Sequence, residues 1–165
     1  MIEVRIASVN ADATSGQPVL LLKPLEREVA GTDERLLPIW IGQPEASAIM
    51  LELQGIELPR PMTHDLLRDL IAQLGYDVVH VEVTSVEEGT YYASVLLSGD
   101  GRTLTVDARP SDAVALAVRA RCPIFVAEDV WNEAAVSVKA VDEAEEELER
   151  FRDFLDHVDP SDFTS

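Results

Sequence analysis

The hexapeptide Ala113-Val114-Ala115-Leu116-Ala117-Val118 sets the strongest constraint on the fold. It lies in a segment from Pro110 or Ser111 to Arg121 that reads as a helix apolar on nearly every face. Such a helix has no side it can leave in water, so it belongs at the centre of a core with other elements packed around it. Arg119 and Arg121 oppose the dipole at its C-terminal end.

The rest of the chain supplies the packing partners. Ile2 to Val9, Pro18 to Leu22 and Arg35 to Ile41 read as strands, separated by a turn over 10–17 and a polar connection over 26–34. Pro44 suits the first turn of a helix that runs to Leu53, with Gly55 as its C′ residue. Pro59-Arg60-Pro61 makes a stiff bend, and Thr63 suits the N-cap of a second helix running to Gly75. Met62 and Leu67 suit a hydrophobic staple there. Leu66, Leu67, Leu70, Ile71 and Leu74 form its apolar stripe. Asp77 to Val86, Thr90 to Leu97 and Arg102 to Ala108 are three more strands, and Glu87-Glu88-Gly89 and Ser98-Gly99-Asp100-Gly101 are the turns between them. After the apolar helix come a short buried strand at Pro123 to Val126 and a short helix at Glu128 to Ala135.

Leu37-Pro38-Ile39-Trp40-Ile41-Gly42-Gln43-Pro44-Glu45 echoes Thr103-Leu104-Thr105-Val106-Asp107-Ala108-Arg109-Pro110-Ser111, each a strand leading to a proline that opens a helix. Two strands precede each block, so a duplicated β-β-β-α unit is one explanation and chance punctuation the other. The expected architecture is α+β: a single compact domain over residues 1–137, with a mixed sheet around the buried helix, followed by an acidic amphipathic C-terminal helix over 138–165.

The 165 residues carry a net charge of -18, from 31 acidic and 13 basic side chains. A 47% hydrophobic content supports a real core. No apolar run approaches the roughly 20 residues that span a bilayer, and no basic-then-apolar leader opens the chain. A cytoplasmic protein without a membrane partner is the expectation. The single Cys122 excludes an internal disulfide and a multi-cysteine zinc site, and reads as a small buried hydrophobe. Trp40 and Trp131 read as core or dimer-contact residues.

Charge argues against nucleic acid, because phosphate backbones are bound by Lys and Arg. The charge is uneven, however. Residues 141–165 hold ten acids and two bases, or -8, which leaves -10 for the first 140 residues. Leu148, Phe151, Leu155 and Val158 give that tail a helical stripe closed by Pro160. It reads as a docked terminal helix with a solvated acidic face, or as an arm for a basic protein partner.

Phosphate loops, dinucleotide fingerprints, zinc-protease motifs and nucleophile elbows are all absent. Polar groups concentrate at two corners. On the helix after Pro61, His64 and Arg68 stand four apart, as do Asp65 and Asp69. Such a face could hold a divalent cation with His64 as acid or base, or be an ordinary surface in which Asp65 complements the helix dipole. The second corner is Asp107-Ala108-Arg109-Pro110-Ser111-Asp112, where a strand meets the buried helix. Its free N–H groups favour an anion, Arg109 could add a bidentate contact, and Asp107 and Asp112 could ligate a metal. Alternatively Ser111 or Asp112 caps the helix and Arg109 pairs with Asp107. Glu45, at the echoed corner, admits the same two readings.

The blocks Leu37-Pro38-Ile39-Trp40-Ile41-Gly42, Arg60-Pro61-Met62-Thr63-His64-Asp65-Leu66 and Asp107 to Ala117 together resemble the bifunctional nuclease domain family, over roughly residues 1–137. The resemblance implies an α+β domain that often forms a homodimer and a nuclease activity on both DNA and RNA. On that basis the expected function is phosphodiester hydrolysis assisted by Mg²⁺ or Mn²⁺. The candidate catalytic residues are His64, Asp65 and Asp112. Arg60, Arg68, Arg109 and Ser111 are the candidate substrate contacts, and Asp65, Asp69, Asp107 and Asp112 the candidate metal ligands. The alternative is a non-enzymatic dimeric regulatory domain whose acidic tail contacts a basic partner. For the nuclease, the charge predicts weak, salt-sensitive affinity and stronger activity once the tail is removed.

Overall fold

The computed structural model describes residues 1–25 and 35–138, together with Arg150. The polar connection 26–34 and the amphipathic tail lie outside the described residues, apart from Val138 and Arg150. Among the described residues, eight strands form one mixed sheet in the order β6-β5-β4-β7-β1-β2-β3-β8. They are β1 (Ile2–Ala11), β2 (Pro18–Pro24), β3 (Arg35–Trp40), β4 (Asp77–Glu87), β5 (Thr90–Gly99), β6 (Arg102–Ala108), β7 (Ile124–Val126) and β8 (Val136–Ser137). Among the described residues they are accompanied by the helices α1 (Gln43–Leu53), α2 (Thr63–Gln73), α3 (Pro110–Ala120) and α4 (Glu128–Ala134).

Both β-β-β-α units are present. β1-β2-β3 and β4-β5-β6 are antiparallel meanders, and α1 and α3 follow them. The short β7 joins the two, parallel to β4 and antiparallel to β1. The sheet is strongly coiled: the Tyr91 hydroxyl on β5 donates to the Pro38 carbonyl of β3 at 3.1 Å, although four strands lie between them in the order.

The apolar helix sits where its composition requires. Along α3, Ala113, Val114, Ala115, Leu116 and Ala117 are all buried, between α1, α2 and strands β4 and β5. Leu20, Leu22, Leu37, Ile49, Val81 and Val126 complete the centre. Trp131 joins this core, and Arg35 packs 6.0 Å from its ring centroid while donating to the Trp131 and Ala135 carbonyls. Trp40, expected in the core or at a dimer contact, is half-exposed and donates to Asp12. Cys122 is half-buried against the core, and burial pushes its thiol above the usual value. Val79 leaves the alternation of β4 and is exposed because the pairing with β5 shifts register between Val78 and His80.

α2 departs most from expectation. Its N-cap is Met62 and not Thr63, and the Asp65 carboxylate accepts the Met62 N–H at 2.9 Å. With Met62 as the cap, the proposed staple loses its N′ residue. The leucine stripe faces outward: Leu66 is 60% exposed and Leu74 65%, whereas His64 on the polar face is 7% exposed. The helix therefore presents its polar side to α3.

Candidate active site

The site forms where α1, α2 and α3 begin. α1 starts from Gly42 and α3 from Arg109, and neither cap residue bonds the helix through its side chain. A β-carbon on Gly42 would collide with Glu45 Oε2, so glycine there lets Glu45 fold back over the end of α1. Counting from the caps, Glu45 and Asp112 occupy the same third position of their helices. The structural equivalent of Glu45 is therefore Asp112, one residue beyond the Ser111 that the sequence echo pairs with it.

These residues make one chain of contacts. Glu45 Oε1 accepts from Arg109 Nη2 at 2.8 Å, Arg109 Nε donates to Asp112 Oδ2 at 2.8 Å, and Asp112 Oδ1 lies 2.9 Å from His64 Nε2. Four side chains from three helices are thus linked in series. Burial pushes the Asp112 carboxyl up, but the Arg109 and His64 bonds outweigh it and hold the group below the usual carboxylate range. The bonds to Asp112 and Glu45 raise Arg109 above its ordinary value. An ionised carboxylate only accepts, so Nε2 of His64 carries a proton, and the neutral tautomer compatible with this bond has its lone pair on Nδ1. Nδ1 has no hydrogen-bond partner among the described residues, and none of their fully buried side-chain nitrogens lacks one. This edge of the ring therefore reaches solvent.

The next residue points the other way. Asp65 Oδ1 accepts from Arg119 Nε at 2.7 Å, while Arg119 Nη1 and Nη2 donate to the Ala115 and Ala48 carbonyls at 2.9 and 3.0 Å. Asp112 and Arg119 are seven positions apart on α3, about 10 Å along its axis. The first turn of α2 therefore straddles α3, with His64 reaching toward one end and Asp65 toward the other. Burial raises the Asp65 carboxyl, but the Met62 N–H and Arg119 together hold it below the ordinary value.

Of the sequence candidates, His64, Asp112 and Arg109 converge with Glu45. Ser111 is buried beside them, at the second position of α3. Asp65 belongs to the Arg119 anchor. Arg68 pairs with its neighbour Asp69 at 2.7 Å, which raises its guanidinium above the ordinary value. Asp107 stays exposed on β6 opposite Ser94, so Arg109 does not pair with it. Arg60 is exposed on the loop before α2. Asp65, Asp69, Asp107 and Asp112 do not gather around a point, and the described residues contain no group of three or more His, Cys, Asp or Glu able to hold a metal ion. Both oxygens of Asp65 and both of Asp112 are already engaged. This donor set does not fit a divalent cation.

Arg119 is the structural residue that a dipole argument undervalued. A cation inside an otherwise apolar helix must find a carboxylate or carbonyls, and that is the signal that could have paired it with Asp65.

The family model described as the bifunctional nuclease domain matches residues 27–139. The chain is 47% identical over 168 residues to an uncharacterized protein of Mycobacterium tuberculosis strain H37Rv, covering 98% of this chain and 97% of that protein. It is 28% identical over 120 residues to bifunctional nuclease 2 of Oryza sativa subsp. japonica, covering 71% of this chain and 35% of that protein. It is 33% identical over 94 residues to bifunctional nuclease 2 of Arabidopsis thaliana, covering 55% of this chain and 29% of that protein. With a domain match over most of its length and a relative aligned nearly end to end, the chain belongs to the bifunctional nuclease domain family.

Proposed function

We propose that this protein hydrolyses phosphodiester bonds in DNA and RNA, with His64 as the general base. The observation that carries the reading is the Glu45–Arg109–Asp112–His64 series, which fixes the tautomer of a histidine whose Nδ1 has no hydrogen-bond partner among the described residues. In this reading Nδ1 takes a proton from an attacking water as its oxygen adds to phosphorus, the P–O bond to the departing sugar oxygen breaks, and that oxygen leaves as an alcohol after taking a proton from solvent. Asp112 stabilises the imidazolium that forms. Arg109, two of its nitrogens already committed, turns its remaining Nη1 toward the phosphate oxygens. Attack by water needs no ribose hydroxyl, so the scheme serves both nucleic acids. The plant relatives named as bifunctional nucleases support the same reading.

Labelled single-stranded DNA and RNA incubated with the purified protein test it. His64→Ala is expected to reduce cleavage about 100- to 10,000-fold, the usual worth of a positioned base. A wild-type protein that cleaves neither substrate ends the reading. Since Asp65, Asp69, Asp107 and Asp112 are not gathered around a point, a chelator is expected to leave cleavage unchanged. Loss of cleavage in chelator would return a Mg²⁺ or Mn²⁺ ion to the scheme through other residues.

Assembly as a homodimer belongs to the same proposal. It is supported by the exposed leucines of α2, which a second copy could cover. Sedimentation of the wild type as a dimer, and of Leu66→Glu/Leu70→Glu as a monomer, is the expected result. A monomeric wild type rejects this part.

A further inference from the structure

Beyond the His64 site, two clefts open side by side at the other end of α3. One, of about 620 Å³, lies between the ends of α1 and α3 and the loop before α2, and includes Arg60, Arg68, Arg119 and Arg121 in its wall. The other, of about 460 Å³, lies against β1 and includes Arg5. Arg121 lines both and joins them.

The arginines here fall into two kinds. Arg119 and Arg68 are held by Asp65 and Asp69. Arg5, Arg60 and Arg121 are exposed, and their guanidinium groups make no hydrogen bond or ion pair among the described residues. In a chain of net charge -18, three guanidinium groups with free donors along one connected surface are an unusual concentration. Glu52 and Glu57 in the first cleft and Glu3 in the second are the acidic groups that this surface must outweigh, apart from the neutralised Asp65. Arg121 also caps α3 in the left-handed region, at φ 55° and ψ 40°, where glycine sits without steric cost. The chain keeps an arginine at a position whose backbone favours a residue without a side chain.

We propose that the surface formed by Arg60, Arg121 and Arg5 is the track for the phosphodiester backbone of single-stranded nucleic acid. This rests on the nuclease reading for its ligand class. The first turn of α2 separates the track from His64, and the span from Asp112 to Arg119, about 10 Å, places the bound phosphates beyond the bond being cut. Planar guanidinium groups with free N–H forks suit phosphate oxygens, and binding here is electrostatic and without base preference.

The test is fluorescence anisotropy of a labelled oligothymidylate titrated with the full chain, from low to moderate salt. Arg60→Ala/Arg121→Ala is expected to raise Kd about tenfold and to make the slope of log K against log salt shallower by roughly 1.4, at about 0.7 per phosphate contact on a single strand. Arg102→Ala removes an exposed charge on β6 and is expected to change Kd less than twofold. Arg121→Gly separates function from capping: it should weaken binding while leaving Tm unchanged or raised. Binding absent in the wild type, or weakened as much by Arg102→Ala as by Arg121→Ala, overturns the track. So does Arg121→Gly lowering Tm with Kd unmoved. If the wild type binds through these arginines yet cleaves nothing, the track stands and the catalytic reading falls.

Discussion

α2 and α3 are both eleven residues long and touch each other, yet they relate to water in opposite ways. α3 buries its apolar residues on all sides, and its one deeply buried cation, Arg119, is matched by Asp65 and two carbonyls. α2 has a well-defined apolar stripe and turns its four leucines outward, keeping Ile71 against the core while it buries His64 and anchors Asp65. The contrast shows that polar groups on a neighbour decide which face of an amphipathic helix docks. α3 offers Asp112 at one end and Arg119 at the other, and only the polar face of α2 can satisfy both.

Removing the anchor should therefore have the largest effect on stability. Arg119→Ala strips Asp65 of its partner in a partly buried setting, and about 3–5 kcal/mol of destabilisation in urea unfolding is expected. A cost below about 1 kcal/mol would mean that the leucines, not the ion pair, hold α2 in place. Leu116→Ala in the centre of α3 should cost about 3 kcal/mol through the cavity it leaves.

Acid should discriminate next. Asp65 and Asp112 both have depressed carboxyl values in the folded protein. Their stabilising contribution is present above the unfolded value of about 3.9 and is lost as pH falls through the lower folded values. Asp112→Asn should thus flatten the fall in stability below about pH 4 relative to wild type. An acid limb as steep as wild type would contradict the depressed carboxyl. The smallest effect should come from the stripe that drew attention in the sequence: Leu66→Ala, measured at a concentration where the chain is monomeric, should change stability by no more than about 0.5 kcal/mol.

The same pair explains what could be read in advance. α3 was legible because a run with no polar face admits only one placement. The strands and the two β-β-β-α units were legible from alternation and punctuation. The corner at Arg109 and Asp112 was legible as a charged strand-to-helix junction, but its partners were not. Asp107, the near neighbour in sequence, is held across from Ser94 by the ladder, whereas Glu45 and His64 arrive from other helices. The four carboxylates named as cation ligands are not brought together for a related reason: spacing on one helix places Asp65 and Asp69 four apart, but each pairs with an arginine that periodicity does not reveal. Arg121 was read only as a dipole partner because its left-handed backbone and the cleft beside it are properties of the folded chain.

The central claim is that His64 and Asp112 act as one unit on a phosphodiester. Single-turnover cleavage by wild type, His64→Ala, Asp112→Asn and the double variant tests it most directly. The expected result is a large loss for each single variant and almost no further loss for the double, because a base and the group that orients it fail together. Losses that multiply, or a His64→Ala protein that cleaves at the wild-type rate, would contradict it.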